Sequence, residues 1–364
     1  MKTAVQQDIS NETRSSAHLR WYVWAALALT VFRLWIQPMN SSFWLDETGT
    51  FLLVQGTFDQ MLEKCVRWVG QPTFFTAIVW FFSQLPGPRE IVLRLPSFFG
   101  LTVAAFFVYR IGKRVLGTEA AGSAMLIFAA LAAYYASDAR PYALAMMAAS
   151  GALLFLIRWM AYERIADVVC YAFFAALTVY LHFLFAVMFA VHAAYVLLKI
   201  WQRSPPSLPV LALAISLVLV FLTPMVPGFL RVVSNRNTLS FGSDPRISAL
   251  ILDSVPGFLH GFLVAGLIAA ILLFSHAKFS RPTVLEPEVW LFVFCAVASP
   301  LALFLISFLS PVQIFVARYL SVALPGLALA LAWLTPALDC SRFAADCSRA
   351  AFACCSAARA CASS

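Results

Sequence analysis

Runs of roughly twenty apolar residues, parted by short polar segments, recur along this chain and decide what it can fold into. A run of that length, wound as a helix, satisfies its own backbone and crosses a hydrocarbon core of ~30 Å; the runs are too long for barrel strands. The expected spans lie at about 21–39, 94–111, 119–137, 141–158, 167–182, 183–200, 208–227, 250–275, 288–309 and 315–336. The fold class is therefore an all-α polytopic membrane protein of about 10–11 spans. Hydrophobic residues make up 62% and charged residues 12%, which no soluble core requires.

Lysine and arginine set the topology. With a cytoplasmic N-terminus, alternate loops carry Lys113 and Arg114, Arg158 and Arg164, Lys199 and Arg203, and Lys278 and Arg281. That is the asymmetry expected of inside loops. The net charge of +8 is scattered among these short segments, which argues against a nucleic-acid groove. The first twenty residues have no apolar core and are not expected to be a signal peptide.

One segment is ambiguous. The run at 72–84 is apolar but only about 13 residues long, and Pro86-Gly87-Pro88 ends it. Counted as a span, it would invert every later loop. An interfacial helix keeps the charge asymmetry and makes 40–93 one long outer loop, a length that is usually functional.

That loop begins with Phe43-Trp44-Leu45-Asp46-Glu47-Thr48, two adjacent carboxylates behind an aromatic anchor. Insertion has no need of them, so they are candidate bases or cation ligands. The same face collects Gln71, Arg94, Asp138, Arg140, Tyr142, His182, Arg231, Arg236, Arg318 and Tyr319. A carboxylate pair beside several arginines suggests acid–base chemistry next to an anionic group, since guanidinium matches phosphate oxygens in two-point contacts. Asp46 and Glu47 could also hold a hard divalent cation through oxygen, but no cofactor is certain. No His/Cys cluster has the spacing of a structural metal site.

Residues 337–364 form a low-complexity tail in which Cys340, Cys347, Cys354 and Cys361 recur every seven residues. The spacing suits one helix face, not a metal site. Cys65, Cys170 and Cys295 read as lone thiols.

The order of motifs resembles the polyprenyl-phosphate-sugar transferases of glycosyltransferase family 39, including protein O-mannosyltransferases and lipid A aminoarabinose transferases. The matching pieces are FWLDE at 43–47, GQPTFF at 70–75, LPGPREIVLRLPSFFG at 85–100, YYASDARPYAL at 134–144, YLHFLFA at 180–186 and ARYLSVALPGLAL at 317–329. The resemblance implies a GT-C fold over 1–336, with interfacial helices in the 40–93 loop. It implies Asp46 as general base with Glu47 in support. Donor phosphate would meet Gln71, Arg94, Arg140 and Arg318, with Asp138, Tyr142, His182 and Tyr319 supporting. Relatives often carry Lys-Pro-Pro or His-Pro-Pro where this chain has Gln71-Pro72-Thr73, so the arginines are the better phosphate ligands.

The expected enzyme moves a hexose or pentose from a polyprenyl-phosphate donor to an acceptor hydroxyl with inversion. It would do so at the periplasmic face of a bacterial inner membrane. A lipid, protein or polysaccharide is the acceptor; membrane lipids are partners and nucleic acid is not. Two other readings stay open, a lipid-diphosphate-oligosaccharide transferase or ligase and a lipid flippase or transporter. The transporter predicts charges near mid-bilayer. Here Arg33 is the main such residue.

Overall fold

A computed structural model describes residues 21–68, 70, 72–235, 246, 248, 286–310 and 312–334. The span expected at 250–275, the cysteine-rich tail, Gln71 and Arg236 lie outside the described residues. Among the described residues every regular element is helical.

Helix α1 (21–30) runs into a π turn at Val31–Ile36 and a 3-10 turn at Gln37–Asn40 that carries Pro38. Trp35 is buried there and donates from its indole nitrogen to the Ala129 carbonyl at 2.9 Å, which fastens α1 to the bundle. Three short helices follow, α2 (Leu45–Val54), α3 (Phe58–Arg67) and α4 (Thr73–Ser83). Helix α3 is amphipathic: Met61 and Cys65, four residues apart, are buried, while Asp59, Glu63 and Arg67 face outward. Thr57 caps it by accepting from the Gln60 amide, and Gln60 accepts from the Thr57 amide in return. Helix α4 has 11 residues and is about 16 Å long, too short to cross a bilayer.

Helix α5 (Arg89–Val115) is followed by α6 (Thr118–Leu131), the single turn α7 (Ala133–Ala136), α8 (Tyr142–Tyr162) and α9 (Ile165–Leu181). A 3-10 turn at Phe183–Val187 leads into α10 (Met188–Trp201), then α11 (Leu208–Leu222) and α12 (Val226–Ser234). Helix α13 (Pro287–Leu309) and a 3-10 turn at Ala317–Ala323 leading into α14 (Leu324–Leu334) complete the described bundle.

Six helical stretches among the described residues are long and apolar enough to cross a membrane: Arg89–Val115, Tyr142–Tyr162, Phe183–Trp201, Leu208–Ser234, Pro287–Leu309 and Ala317–Leu334. Helices α6 and α9 are apolar but shorter. Small residues bring these helices together, as they do where lipid supplies no hydrophobic drive. A Cβ on Gly100 would sit 2.8 Å from Leu144 Cδ2, so α5 lies directly on α8. A Cβ on Gly112 would come 3.0 Å from Ala121 Cα, which seats α5 on α6 in the same way. On the outside, Phe99, Val103 and Phe106 of α5 and Ile215 and Leu219 of α11 are exposed, a surface suited to lipid chains.

Candidate active site

The two adjacent acids open α2 and diverge because neighbours on a helix point about 100° apart. Both lie in the first turn, where the positive end of the helix dipole favours carboxylates. Glu47 is fully buried. Its Oε1 accepts from Arg94 Nε at 2.7 Å and from the Ala139 amide at 2.8 Å. Its Oε2 accepts from Arg94 Nη2 at 2.6 Å and from the Trp44 amide at 3.2 Å. Such a two-point pair survives burial because every lone pair and proton is matched.

Arg94 extends this lock. Nη1 donates to the carbonyls of Met39 at 2.8 Å and Ser41 at 2.7 Å, and Nη2 also reaches the Ser42 carbonyl at 3.2 Å. Its side chain is 2% exposed. The sequence reading set Arg94 among the phosphate ligands. In the structure its N–H groups point at protein acceptors, and Arg94 ties the end of α1 to α2 and α5.

Asp46 faces the opposite way. Arg318 Nη1, from the turn before α14, lies 3.1 Å from Asp46 Oδ2. Both side chains keep access, 27% for Arg318 and 23% for Asp46. Arg140 approaches from the other side, donating from Nη1 to the Asp46 carbonyl at 3.3 Å and the Thr50 hydroxyl at 3.4 Å. Ser97 donates to the Arg140 carbonyl at 3.2 Å, so α5 and α8 together fix that arginine. The Nε atoms of both Arg140 and Arg318 are buried without a hydrogen-bond partner. Two guanidinium groups with buried, unpartnered donors beside a carboxylate form a cluster whose hydrogen-bonding capacity is not filled by protein.

Aromatic rings pack together beside this cluster. The His182 ring lies 5.4 Å from Tyr142 and 5.2 Å from Tyr319, and Tyr142 lies 6.3 Å from Tyr319. Arg318 sits 5.5 Å above the Tyr319 ring. His182 Nδ1 is buried and unpartnered. Enclosure, with Arg140 and Arg318 beside it, holds the His182 pKa well below its ordinary value, so the ring is neutral at pH 7.

Asp138 lies behind Asp46. Trp44 Nε1 donates to its Oδ1 at 3.0 Å, while Oδ2 is buried without a partner. Burial, opposed by the Trp44 hydrogen bond and reinforced by the Glu47 charge, raises its pKa to about 7.

The structure thus brings Asp46, Glu47, Arg94, Asp138, Arg140, Tyr142, His182, Arg318 and Tyr319 into one neighbourhood. Gln71 is not described. Among the described residues no group of three His, Cys, Asp or Glu side chains could hold a metal ion. Both Glu47 oxygens are already occupied, so the Asp46–Glu47 pair is not disposed as a chelate.

A separate cleft of about 370 Å³, lined by none of these residues, lies among α3, α4, the end of α9 and α12. Its walls include Cys65, Thr73 and Phe74 of the short helices, Tyr180 and Phe183 on either side of His182, and Arg231 of α12. Arg231 is a cleft residue to which no role follows from sequence pattern. Its cue was membership of the outward-facing polar set, without any sign of the groove it lines.

The fold is that of an all-α polytopic membrane protein of the GT-C kind. The family model described as dolichyl-phosphate-mannose-protein mannosyltransferase matches residues 70–226. The match begins after Asp46 and ends before Arg231. Among solved structures, the chain is similar to ArnT from Cupriavidus metallidurans bound to undecaprenyl phosphate, with a TM-score of 0.55 and 18% identity. The likeness covers 86% of this chain and 59% of that one, so this chain spans about three fifths of its relative's length. No curated protein matches it.

Proposed function

We propose that this protein is a membrane glycosyltransferase that moves a sugar from a polyprenyl-phosphate donor to an acceptor hydroxyl. The observation that carries the reading is the Asp46 carboxylate paired with Arg318, with Arg140 bonded to the Asp46 backbone carbonyl and both arginines keeping unpartnered buried Nε donors. A base and an anion pocket in contact are what such a transfer needs. The matching mannosyltransferase family model and the undecaprenyl phosphate in the ArnT structure support a polyprenyl phosphate as the donor.

In the proposed reaction the acceptor oxygen attacks the anomeric carbon while Asp46 takes its proton. The bond from that carbon to the phosphate oxygen breaks, and the donor leaves as a phosphate monoester with an added negative charge. That leaving group needs charge stabilisation more than a proton, and the free donors of Arg140 and Arg318 would supply it. One displacement inverts the anomeric centre. Arg318 must loosen its hold on Asp46 to meet the phosphate, so donor binding would also free the base. Neutral His182 can direct one hydrogen bond at the sugar or phosphate without adding charge. Glu47 and Arg94 keep α2 in register and so aim Asp46.

The cleft bounded by Phe74, Tyr180, Phe183 and Arg231 suits the proximal isoprene units and the phosphate behind them. The basic ends of α5, α8 and α10 lie opposite the site, which supports a periplasmic active site in a bacterial inner membrane. Whether the sugar is a hexose or a pentose, and whether the acceptor is lipid, protein or polysaccharide, depends on groups around this pocket.

Asp46→Asn, assayed in membranes with radiolabelled polyprenyl-phosphate sugar, tests the assignment. The expected result is a loss of transfer of about 10²–10⁴-fold at a normal level of inserted protein. Undiminished transfer would remove Asp46 as the base.

A further inference from the structure

At the far end of α5 and α8, two arginines converge on one exposed tyrosine. Arg114 lies 4.6 Å above the Tyr162 ring and donates from Nη1 to its hydroxyl at 3.0 Å. Arg164 approaches the same ring to 5.1 Å. Two guanidinium groups on one ring repel each other unless an anion lies between or beside them.

The carboxylates nearest in sequence do not provide it. Glu163 turns aside through a left-handed backbone, φ +52°, and accepts from the Ser207 amide at 2.5 Å and the Ser207 hydroxyl at 2.7 Å. Asp167 pairs with Arg158 at 2.9 Å. Among the described residues neither Arg114 nor Arg164 is paired with a carboxylate.

The location says which anion fits. Arg114 stands twenty residues along α5 from Arg94, about 30 Å, so the arginine pair lies one hydrocarbon thickness from the candidate active site. From Arg164 the exposed side chains Ile165, Val169 and Phe173 descend α9 at four-residue spacing. A cationic clamp at the membrane surface continues directly into an apolar stripe on the lipid-facing side of one helix. A free phosphate would use the clamp and leave the stripe idle, whereas a phospholipid would use both.

We infer that Arg114, Tyr162 and Arg164 form a binding site for the phosphate of an anionic phospholipid, in the leaflet opposite the active site. One acyl chain lies along Ile165, Val169 and Phe173. The guanidinium groups contact the phosphate oxygens, and the tyrosine ring holds both arginines in place between lipids. No step of the proposed sugar transfer depends on this site.

The test uses the full chain in nanodiscs of phosphatidylcholine with or without phosphatidylglycerol, followed by native mass spectrometry of retained lipid. Wild type should retain phosphatidylglycerol in preference to phosphatidylcholine. R114Q/R164Q should weaken that retention about thirtyfold, and either single change about fivefold. K113Q removes an exposed charge from the same face without touching the ring, and should leave retention near the wild-type level. Equal losses in K113Q and R114Q would overturn the site in favour of diffuse surface charge. Displacement of the lipid by millimolar inorganic phosphate would equally overturn it, since a free anion would then be the occupant. If the double variant does not insert, the single variants carry the comparison.

Discussion

Two carboxylate–arginine pairs lie side by side in this protein and behave in opposite ways. Glu47 and Arg94 are sealed, with each carboxylate oxygen accepting twice and each guanidinium proton directed at an acceptor. Asp46 and Arg318 touch at 3.1 Å yet retain access and an unpartnered guanidinium nitrogen. The same two chemical groups therefore do different work according to how completely they are matched. A saturated buried pair fixes geometry, whereas an unsaturated, partly accessible one is able to exchange partners.

The strongest way to break this contrast is to open the sealed pair. Arg94→Met should leave the Glu47 charge buried and uncompensated and cost about 3–5 kcal/mol, read as a lower thermal midpoint and less inserted protein. Arg318→Gln should leave folding near the wild-type level and lower the turnover number about 10²–10³-fold, measured by donor consumption in membranes. If Arg318→Gln unfolds the protein as readily as Arg94→Met does, the division between the pairs is wrong.

A smaller effect sharpens the role of the cleft. Arg231→Gln should raise the KM for the donor about tenfold with little change in turnover, since it removes one charge-assisted contact worth roughly 1.5 kcal/mol. Saturation curves for both variants would show whether Arg231 binds while Arg318 reacts.

A further effect, read as a slope with pH, concerns Asp138. In the folded protein it holds its proton to about pH 7, against an ordinary value of 3.8. Between those values the folded state binds one more proton than the unfolded state, so stability falls as pH rises through that window. Asp138→Asn should flatten this slope in thermal unfolding measured from pH 5 to pH 8.

Much of this was legible in the chain before any coordinates. Apolar run length and basic loops indicated the helical bundle, and the resulting topology put Asp46, Arg140, Tyr142, His182, Arg318 and Tyr319 on one face. The structure brings those six together. Glu47 as a support was legible too, but its partner was not. Arg94 is an arginine at a span end, and only the packing of α5 against the end of α1 turns it from phosphate toward Glu47. Side-chain direction at that joint depends on the turn at Gln37–Asn40, which no periodicity reports. Arg231 escaped assignment for a related reason. A groove between short helices and α12 is a tertiary shape, and a lone arginine among apolar residues does not announce it.

Arg318 and Asp46 also come from opposite ends of the described bundle, Asp46 from the first turn of α2 and Arg318 from the turn before α14. A ribosome adding about 5–20 residues per second makes the acid well before its cation. Through most of synthesis Asp46 therefore sits at the membrane surface without its counter-charge. The ion pair forms only when the turn before α14 takes its place, so a nascent chain that stalls before that step carries Asp46 without the Arg318 contact.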